Sequence, residues 1–267
     1  MSFSDRYHRV LGWQTQILRG LHKGGYGTTR LSDIVGFDAS VLNTLSTSPR
    51  WLIGYSDVTA LHALWNRAGV LSMHGPMGVD INSWSSNARS RLFEVLGGTG
   101  PIVQSYSGTI RYAGTPTTNV TGRLLGGNLS VLGSMVGSGY LPSYAGAILL
   151  IEDTDEAACE SYSNLDHLFE DHDSQNRHAD SVDRLLTQLL RAAEFQGIVG
   201  IAIGQLIGAD TSSYTALELL DRTLSPLGIP VITGLSIGHT ASTSLPIVLG
   251  AAAEINVALG KLVVSVP

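Results

Sequence analysis

Cysteine is nearly missing from this chain: Cys159 stands alone among 267 residues. No internal disulfide can form, and no Cys-x-x-Cys or Cys/His ladder exists to hold zinc, so a reducing, cytoplasmic setting is the expectation. Charge is also sparse. Sixteen Lys and Arg stand against 22 Asp and Glu, a net charge of −6, and the basic residues are scattered rather than gathered into a stripe. That argues against a nucleic-acid-binding face. Long apolar runs are lacking as well, since none reaches the ~20 residues a membrane span needs. The opening MSFSDRYHRVLGWQTQILRG is broken by polar and charged residues where a secretory leader would be apolar. The chain therefore reads as soluble, with neither nucleic acid nor membrane as a partner.

Glycine, by contrast, is plentiful at 31 residues and punctuates short apolar runs. The run Gln16 to Leu21 leads into Gly24-Gly25-Tyr26-Gly27 and a helical pattern from about Thr28. Trp51 to Gly54 reads as a strand, Asp57 to Arg67 as a helix, and Val70 to Met73 as a strand ending in His74-Gly75-Pro76. Strand, turn, helix, strand is the rhythm of an α/β fold with parallel strands, whose ligands collect where strands end and helices begin. Residues 97–118 are rich in Gly, Ser, Thr and Pro without helical period, which places a junction there. The division is an N-terminal unit over 1–100, a linker over 101–118 and a C-terminal unit over 119–267. The second unit opens with GRLLGGNLSVL, then reads as strand Ala147 to Ile151, helix Val182 to Ala193 and strand Ile198 to Ile203. A helix over Ala216 to Leu224, a strand over Pro230 to Thr233 and two short β segments between Glu254 and Val266 complete it. Residues 154–181 are polar and acidic, and a connection of that length reads as a lid, a binding loop or a mobile insertion.

The chemistry-bearing candidates sit at these turns and strand ends. Ser56, in Gly54-Tyr55-Ser56-Asp57-Val58, is open to two readings. A strand-to-helix turn can lift a nucleophilic hydroxyl toward free backbone N–H groups, and a serine at the same place can cap the following helix. The turn lacks the second glycine of the common G-x-S-x-G pattern. A nucleophilic serine needs a base, and His239 follows the strand PVITGLSIG directly, while His62 and His74 lie near Ser56 in sequence and at another strand end. Glu152 and Asp153 close the apolar strand GAILLIED, and alternation lets only one of them face a crevice. The glycines of GGYG could present amides to a phosphate or to an oxyanion, although no Walker lysine and no G-x-G-x-x-G spacing accompany them. His167, His172 and His178 show no metal-ligand spacing and read as part of a solvated loop.

Taken in order, GGYGTTRL (24–31), IGYSDVTALH (53–62), HGPM (74–77), GGNLSVL (126–132), LLIED (149–153), VDRLLTQLLRA (182–192) and GIPVITGLSIGH (228–239) resemble one family. It is the LD-carboxypeptidases, serine peptidases of the S66 type that include the microcin C immunity peptidases. The resemblance implies a Rossmann-like, flavodoxin-like parallel-sheet domain, here shortened, followed by a C-terminal α/β domain of the swivelling β/α/β type. It also implies a triad of Ser56, Glu152 and His239, an oxyanion hole from the amides of Asp57 and Gly25, and substrate contacts from Gly24, His74, Gly127 and Asn128. No metal or cofactor is implied. The implied reaction releases terminal D-alanine from murein tetrapeptides, a step of cell-wall recycling. A peptidyl-nucleotide antibiotic as the substrate, or a catalytically silent binding homologue, is the alternative.

Three departures from the family pattern stand out. Similar proteins begin with a strand-helix-strand unit before the glycine-rich segment, and this chain has almost none of it; together with the family pattern this points to a homodimer. Lys23 takes the place of the arginine in RGGYG, exchanging a planar fork for a point charge. The 154–181 insertion follows Glu152 closely, where it could cover the crevice.

Overall fold

The structure is a computed structural model that describes residues 27–30, 39–98, 100–111, 118–155, 181–210 and 215–267. The expected run 16–21, the glycines Gly24 and Gly25, and the insertion from 156 to 180 lie outside the described residues.

The chain runs from helix α1 (Ala39–Thr47) into a two-residue strand, β1 (Ile53–Gly54), a single 3-10 turn (Ser56–Val58) and helix α2 (Thr59–Arg67). Strand β2 (Ser72–His74), helix α3 (Ser86–Gly97), strand β3 (Ile102–Ser107) and strand β4 (Thr109–Arg111) follow. Next come β5 (Val120–Asn128), helix α4 (Leu129–Met135), β6 (Ile148–Thr154), helix α5 (Ser181–Arg191) and β7 (Gly200–Ile207). Helix α6 (Ala216–Leu224), β8 (Val231–Thr233), β9 (Ile247–Leu249), β10 (Ala252–Asn256) and β11 (Lys261–Val266) complete it.

β5, β6, β7 and β8 lie parallel at the centre of an eight-stranded sheet, as the apolar runs predict for strands buried on both faces. Antiparallel strands flank them, with β10, β11 and β3 on one side and β4 on the other. Alternation divides the core. Leu149 and Ile151 of β6 pack with α4, α5 and α6 on one face, while Ile148 and Leu150 point to the other. That second face is covered by a small sheet in which β2 is central, parallel to β1 and antiparallel to β9, and by Leu92 and Val95 of α3. Both sheets therefore contribute to the second core. Helix α2 is buried from Thr59 to Asn66: Ala60 and Ala63 meet the α4–α6 core, and Leu61, Leu64 and Trp65 form a further cluster with Leu52 and Val58.

Three expectations are revised. The stretch read as a linker over 101–118 contains β3 and β4, at opposite edges of the large sheet. In β3 the usual pattern is inverted, with Gln104 and Tyr106 buried and Val103 exposed, which hides the strand from a hydrophobicity reading. Strand β9, in a stretch of the second unit where no element was expected, pairs with β2, so the first sheet is completed from the chain's second half. Helices α1 and α3 have no counterpart in the sequence reading. No helix among the described residues is long and apolar enough to cross a membrane.

Candidate active site

Ser56 is one of two non-glycine residues with positive φ among the described residues, at φ 58°. A left-handed residue costs about 1–2 kcal/mol, so the surrounding packing must hold it there. Val58 fills the space where a Cβ on Gly54 would lie, 2.8 Å from its nearest methyl. Val58 stands where the second glycine of the common pattern would be, and its bulk requires glycine at position 54. The cap reading of Ser56 is not realised: neither the 3-10 turn nor α2 has a side-chain cap bond at its start. The first amides of such a turn have no partner within it, and the N–H of Asp57 is among them. The Asp57 carboxylate does separate work. Its Oδ2 accepts from the Thr28 N–H at 3.0 Å and from the Thr28 hydroxyl at 2.6 Å. That ties the residues just after the glycine-rich segment to the serine turn. Gly24 and Gly25 themselves lie outside the described residues.

Glu152 and Asp153 separate as alternation requires. A register irregularity between Ile151 and Asp153 interrupts the pairing of β6 with β7 at this point. Asp153 accepts from the Ser130 N–H and hydroxyl, at 2.9 and 2.7 Å, and from the Asn128 amide at 2.7 Å, which fixes the start of α4. Glu152 is fully buried and turns toward the small sheet. Its Oε2 accepts from His239 Nδ1 at 2.7 Å, and its Oε1 accepts from His74 Nε2 at 3.3 Å. Burial alone would raise this carboxyl, but the two histidine hydrogen bonds and their charge hold it down at about 2. Burial pulls the His239 imidazole down, and the Glu152 hydrogen bond and charge, with the fields of Asp153 and Asp155, raise it above its ordinary value.

His239 reaches this position through the loop after β8. Gly238 sits at φ 147°, and a Cβ there would come within 2.9 Å of Gln205 and 3.3 Å of Glu152 Oε2. Gln205, a polar residue in an otherwise apolar strand, accepts from the Thr240 N–H at 2.9 Å and the Ser244 hydroxyl at 3.2 Å. Gly238→Ala is expected to destabilise the fold by about 2–4 kcal/mol, combining backbone strain with overpacking, and to displace His239. Urea denaturation read beside an activity assay tests both effects. The ring of Tyr55 lies edge-on against His239 with centroids 5.0 Å apart, and its hydroxyl donates to Asp80 Oδ2 at 2.7 Å. The residue next to Ser56 in the chain thus packs on the catalytic candidate from the other sheet. His239 Nε2 is buried and has no hydrogen-bond partner among the described residues.

The remaining candidates have different surroundings. His62 donates Nε2–H to the Gly54 carbonyl at 3.0 Å, and burial lowers its pKa to about 3, so it holds the serine turn as a neutral ring. His74, a substrate contact in the family pattern, is fully buried against Glu152. The Asn128 side chain accepts from the Val131 N–H at 3.1 Å as the cap of α4 and donates to Asp153. Gly127, at φ 142°, brings its backbone against Thr59, and a Cβ there would lie 2.6 Å from the Thr59 hydroxyl. His74 joins the two sheets, and Gly127 seats the large sheet against α2. Tyr55, Gln205, Asp80 and Thr28 were missed by the sequence reading, and only Gln205 carries a visible signal, as a polar interruption of an apolar strand.

Fold and site together define an α/β protein in which strand ends of two sheets converge on a buried carboxylate-histidine pair beside a strained serine turn. Residues 21–75 match the LD-carboxypeptidase N-terminal domain, and residues 121–255 match the LD-carboxypeptidase C-terminal domain. The chain belongs to the LD-carboxypeptidase family, a family of peptidases. A Streptomyces coelicolor protein bearing a carboxypeptidase name is 31% identical over 249 residues, covering 92% of this chain and 70% of its own. The murein tetrapeptide carboxypeptidase of Pseudomonas aeruginosa is 30% identical over 190 residues, 64% of this chain and 61% of its own. The crystal structure of muramoyltetrapeptide carboxypeptidase from Oxalobacter formigenes superposes with a TM-score of 0.70 at 27% identity, over 91% of this chain and 76% of that one.

Proposed function

We propose that this protein is a serine carboxypeptidase that releases the terminal D-alanine of murein tetrapeptides by cutting the amide that joins it to an L-centre. The observation that carries the reading is the fully buried Glu152 bonded to His239 Nδ1 at 2.7 Å, with Nε2 of the same ring unpartnered among the described residues. A carboxylate on Nδ1 fixes the tautomer that leaves Nε2 as the proton acceptor. The names of the Pseudomonas and Oxalobacter relatives support the substrate class.

In this mechanism the Ser56 hydroxyl attacks the scissile carbonyl carbon while its proton passes to His239 Nε2. Glu152 stabilises the imidazolium, and the Asp57 N–H, with Gly25 as the family pattern implies, receives the developing oxyanion. His239 then gives its proton to the departing amine of D-alanine, which leaves the acyl group on Ser56. Water, deprotonated by His239, attacks that ester, and His239 passes the proton to the departing Ser56 oxygen as the shortened peptide is freed. His239 must be neutral to act as the base. Because its pKa is raised above 6.5, kcat/KM is expected to fall on the acid side with a midpoint above that value. A rate profile over pH 5–9 checks the sign; a midpoint below 6.5 contradicts it.

Incubation with a murein tetrapeptide followed by mass spectrometry tests the activity. Release of one D-alanine per peptide is expected. No release at high enzyme concentration overturns the substrate, and cleavage of an acyl-sulfamoyl adenylate in its place would reassign it to peptidyl-nucleotide antibiotics.

A further inference from the structure

We propose that His74 is a positioning residue of the hydrolysis: its Nε2–H, donated to Oε1, fixes the Glu152 carboxylate so that Oε2 meets His239. The proposal rests on the roles given above to Ser56, His239 and Glu152. A carboxylate held by His239 alone can rotate about its final bond, since only one of its oxygens is engaged. His74 engages the other oxygen from the opposite sheet, and both side chains are fully buried. The histidine is itself well anchored. It ends the central strand of the small sheet, where its Cα partners are Gly54 on one side and Ile247 on the other. Groups carried on rigid, doubly paired strands hold their geometry better than groups on loops.

The protonation pattern follows from the partners. An ionised carboxylate only accepts, so Nε2 of His74 must carry a proton. Nδ1 of His74 is buried without a partner among the described residues. The groups facing this cluster are His62, whose ring lies 6.3 Å from that of His74, and Tyr55, at 6.2 Å from His74 and 5.0 Å from His239. On the His239 side the fields of Asp153 and Asp155 add to that of Glu152. A hydrogen bond to Oε1 spreads the charge of Glu152 and moderates the pull of Oε2 on the His239 proton. Removing it strengthens that pull.

His74→Phe keeps a ring of similar size and removes the donor, whereas His74→Gln places an amide N–H near the position of Nε2. In the phenylalanine variant kcat is expected to fall roughly 10- to 100-fold with KM unchanged, and the acid limb of the rate profile to move to higher pH. His74→Gln is expected to restore most of kcat and the original limb. A folded His74→Phe protein with the wild-type kcat and profile overturns the proposal. If that variant fails to fold, ¹⁵N-histidine NMR of the unmodified protein decides instead: the proposal requires His74 to carry a proton at Nε2, and a ring bare at Nε2 refutes it. Ser56→Ala and Glu152→Gln run in parallel keep the two readings apart. Their retention of activity would sink the triad, whereas their inactivity beside a normal His74→Phe would sink only the role of His74.

Discussion

Ser56→Ala is expected to lower kcat by roughly 10⁴- to 10⁶-fold while leaving the protein folded, since removal of a nucleophile abolishes the covalent route and leaves only binding and oxyanion stabilisation. The left-handed backbone at this residue supplies an independent check. Ser56→Gly removes the same hydroxyl but also relieves the steric conflict of φ 58°, so it should be more stable than Ser56→Ala by about 1 kcal/mol. Paired urea titrations of the two inactive variants measure the difference. Equal stability would mean that the turn is not strained as described, and retained activity in either would remove Ser56 from the mechanism.

Glu152→Gln should reduce kcat by roughly 10⁴-fold, because an amide can present a hydrogen-bond donor to His239 and select the wrong tautomer. The acid limb of the remaining activity should move down, since the hydrogen bond and charge that raise His239 against its burial are gone. The sign is opposite to that expected for His74→Phe. The substitution should also change how stability depends on pH. In the wild type, Glu152 is depressed from 4.5 to about 2, so its contribution is complete above 4.5 and is lost as pH falls through 2. His239 is raised above 6.5, so its contribution is complete below 6.5 and is lost as pH rises through its folded value. The pair therefore stabilises the fold most between about pH 4.5 and 6.5. Thermal melts of wild type and Glu152→Gln across pH 3–9 should differ most in that window, and a constant offset would refute the assignment.

Elements with clear apolar signatures were legible in the sequence, and their boundaries fell within a few residues. Helix α6 was placed at its observed limits, and the capping box formed by Thr215 and Glu218 accounts for its sharp start. The central strands β6 and β7 were found but continue past the apolar run, because the polar ends Glu152, Asp153 and Gln205 remain in the ladder. What stayed hidden has a physical cause in each case. β3 buries a glutamine and a tyrosine and exposes a valine; Tyr106 donates to the Pro246 carbonyl at 2.6 Å, so a long-range polar partner stands in for apolar packing. Helix α1 buries no residue fully, and no strong stripe marks it.

The site divides along similar lines. Ser56, Glu152 and His239 were candidates because turns and strand ends carry reactive groups toward crevices. The supporting residues required tertiary knowledge. Nothing local says that Asn128 and Asp153 meet or that Tyr55 packs on His239, since those contacts join residues far apart in the chain. Glu152 and Asp153 point to opposite faces as alternation predicts, but both are buried, and the register irregularity beside them could not be read from one strand alone.

Strand β9 belongs to one sheet by hydrogen bonding and reaches it directly from the loop that carries His239. His239, the proposed base, is thereby leashed to the wall that carries Ser56: Ile247 pairs with His74, which pairs in turn with Gly54, two residues before Ser56. Swinging the two sheets apart like a clamshell would pull this leash taut and tear its pairing. The wall that carries His74 and the loop that carries His239 are thus one continuous, hydrogen-bonded piece of chain.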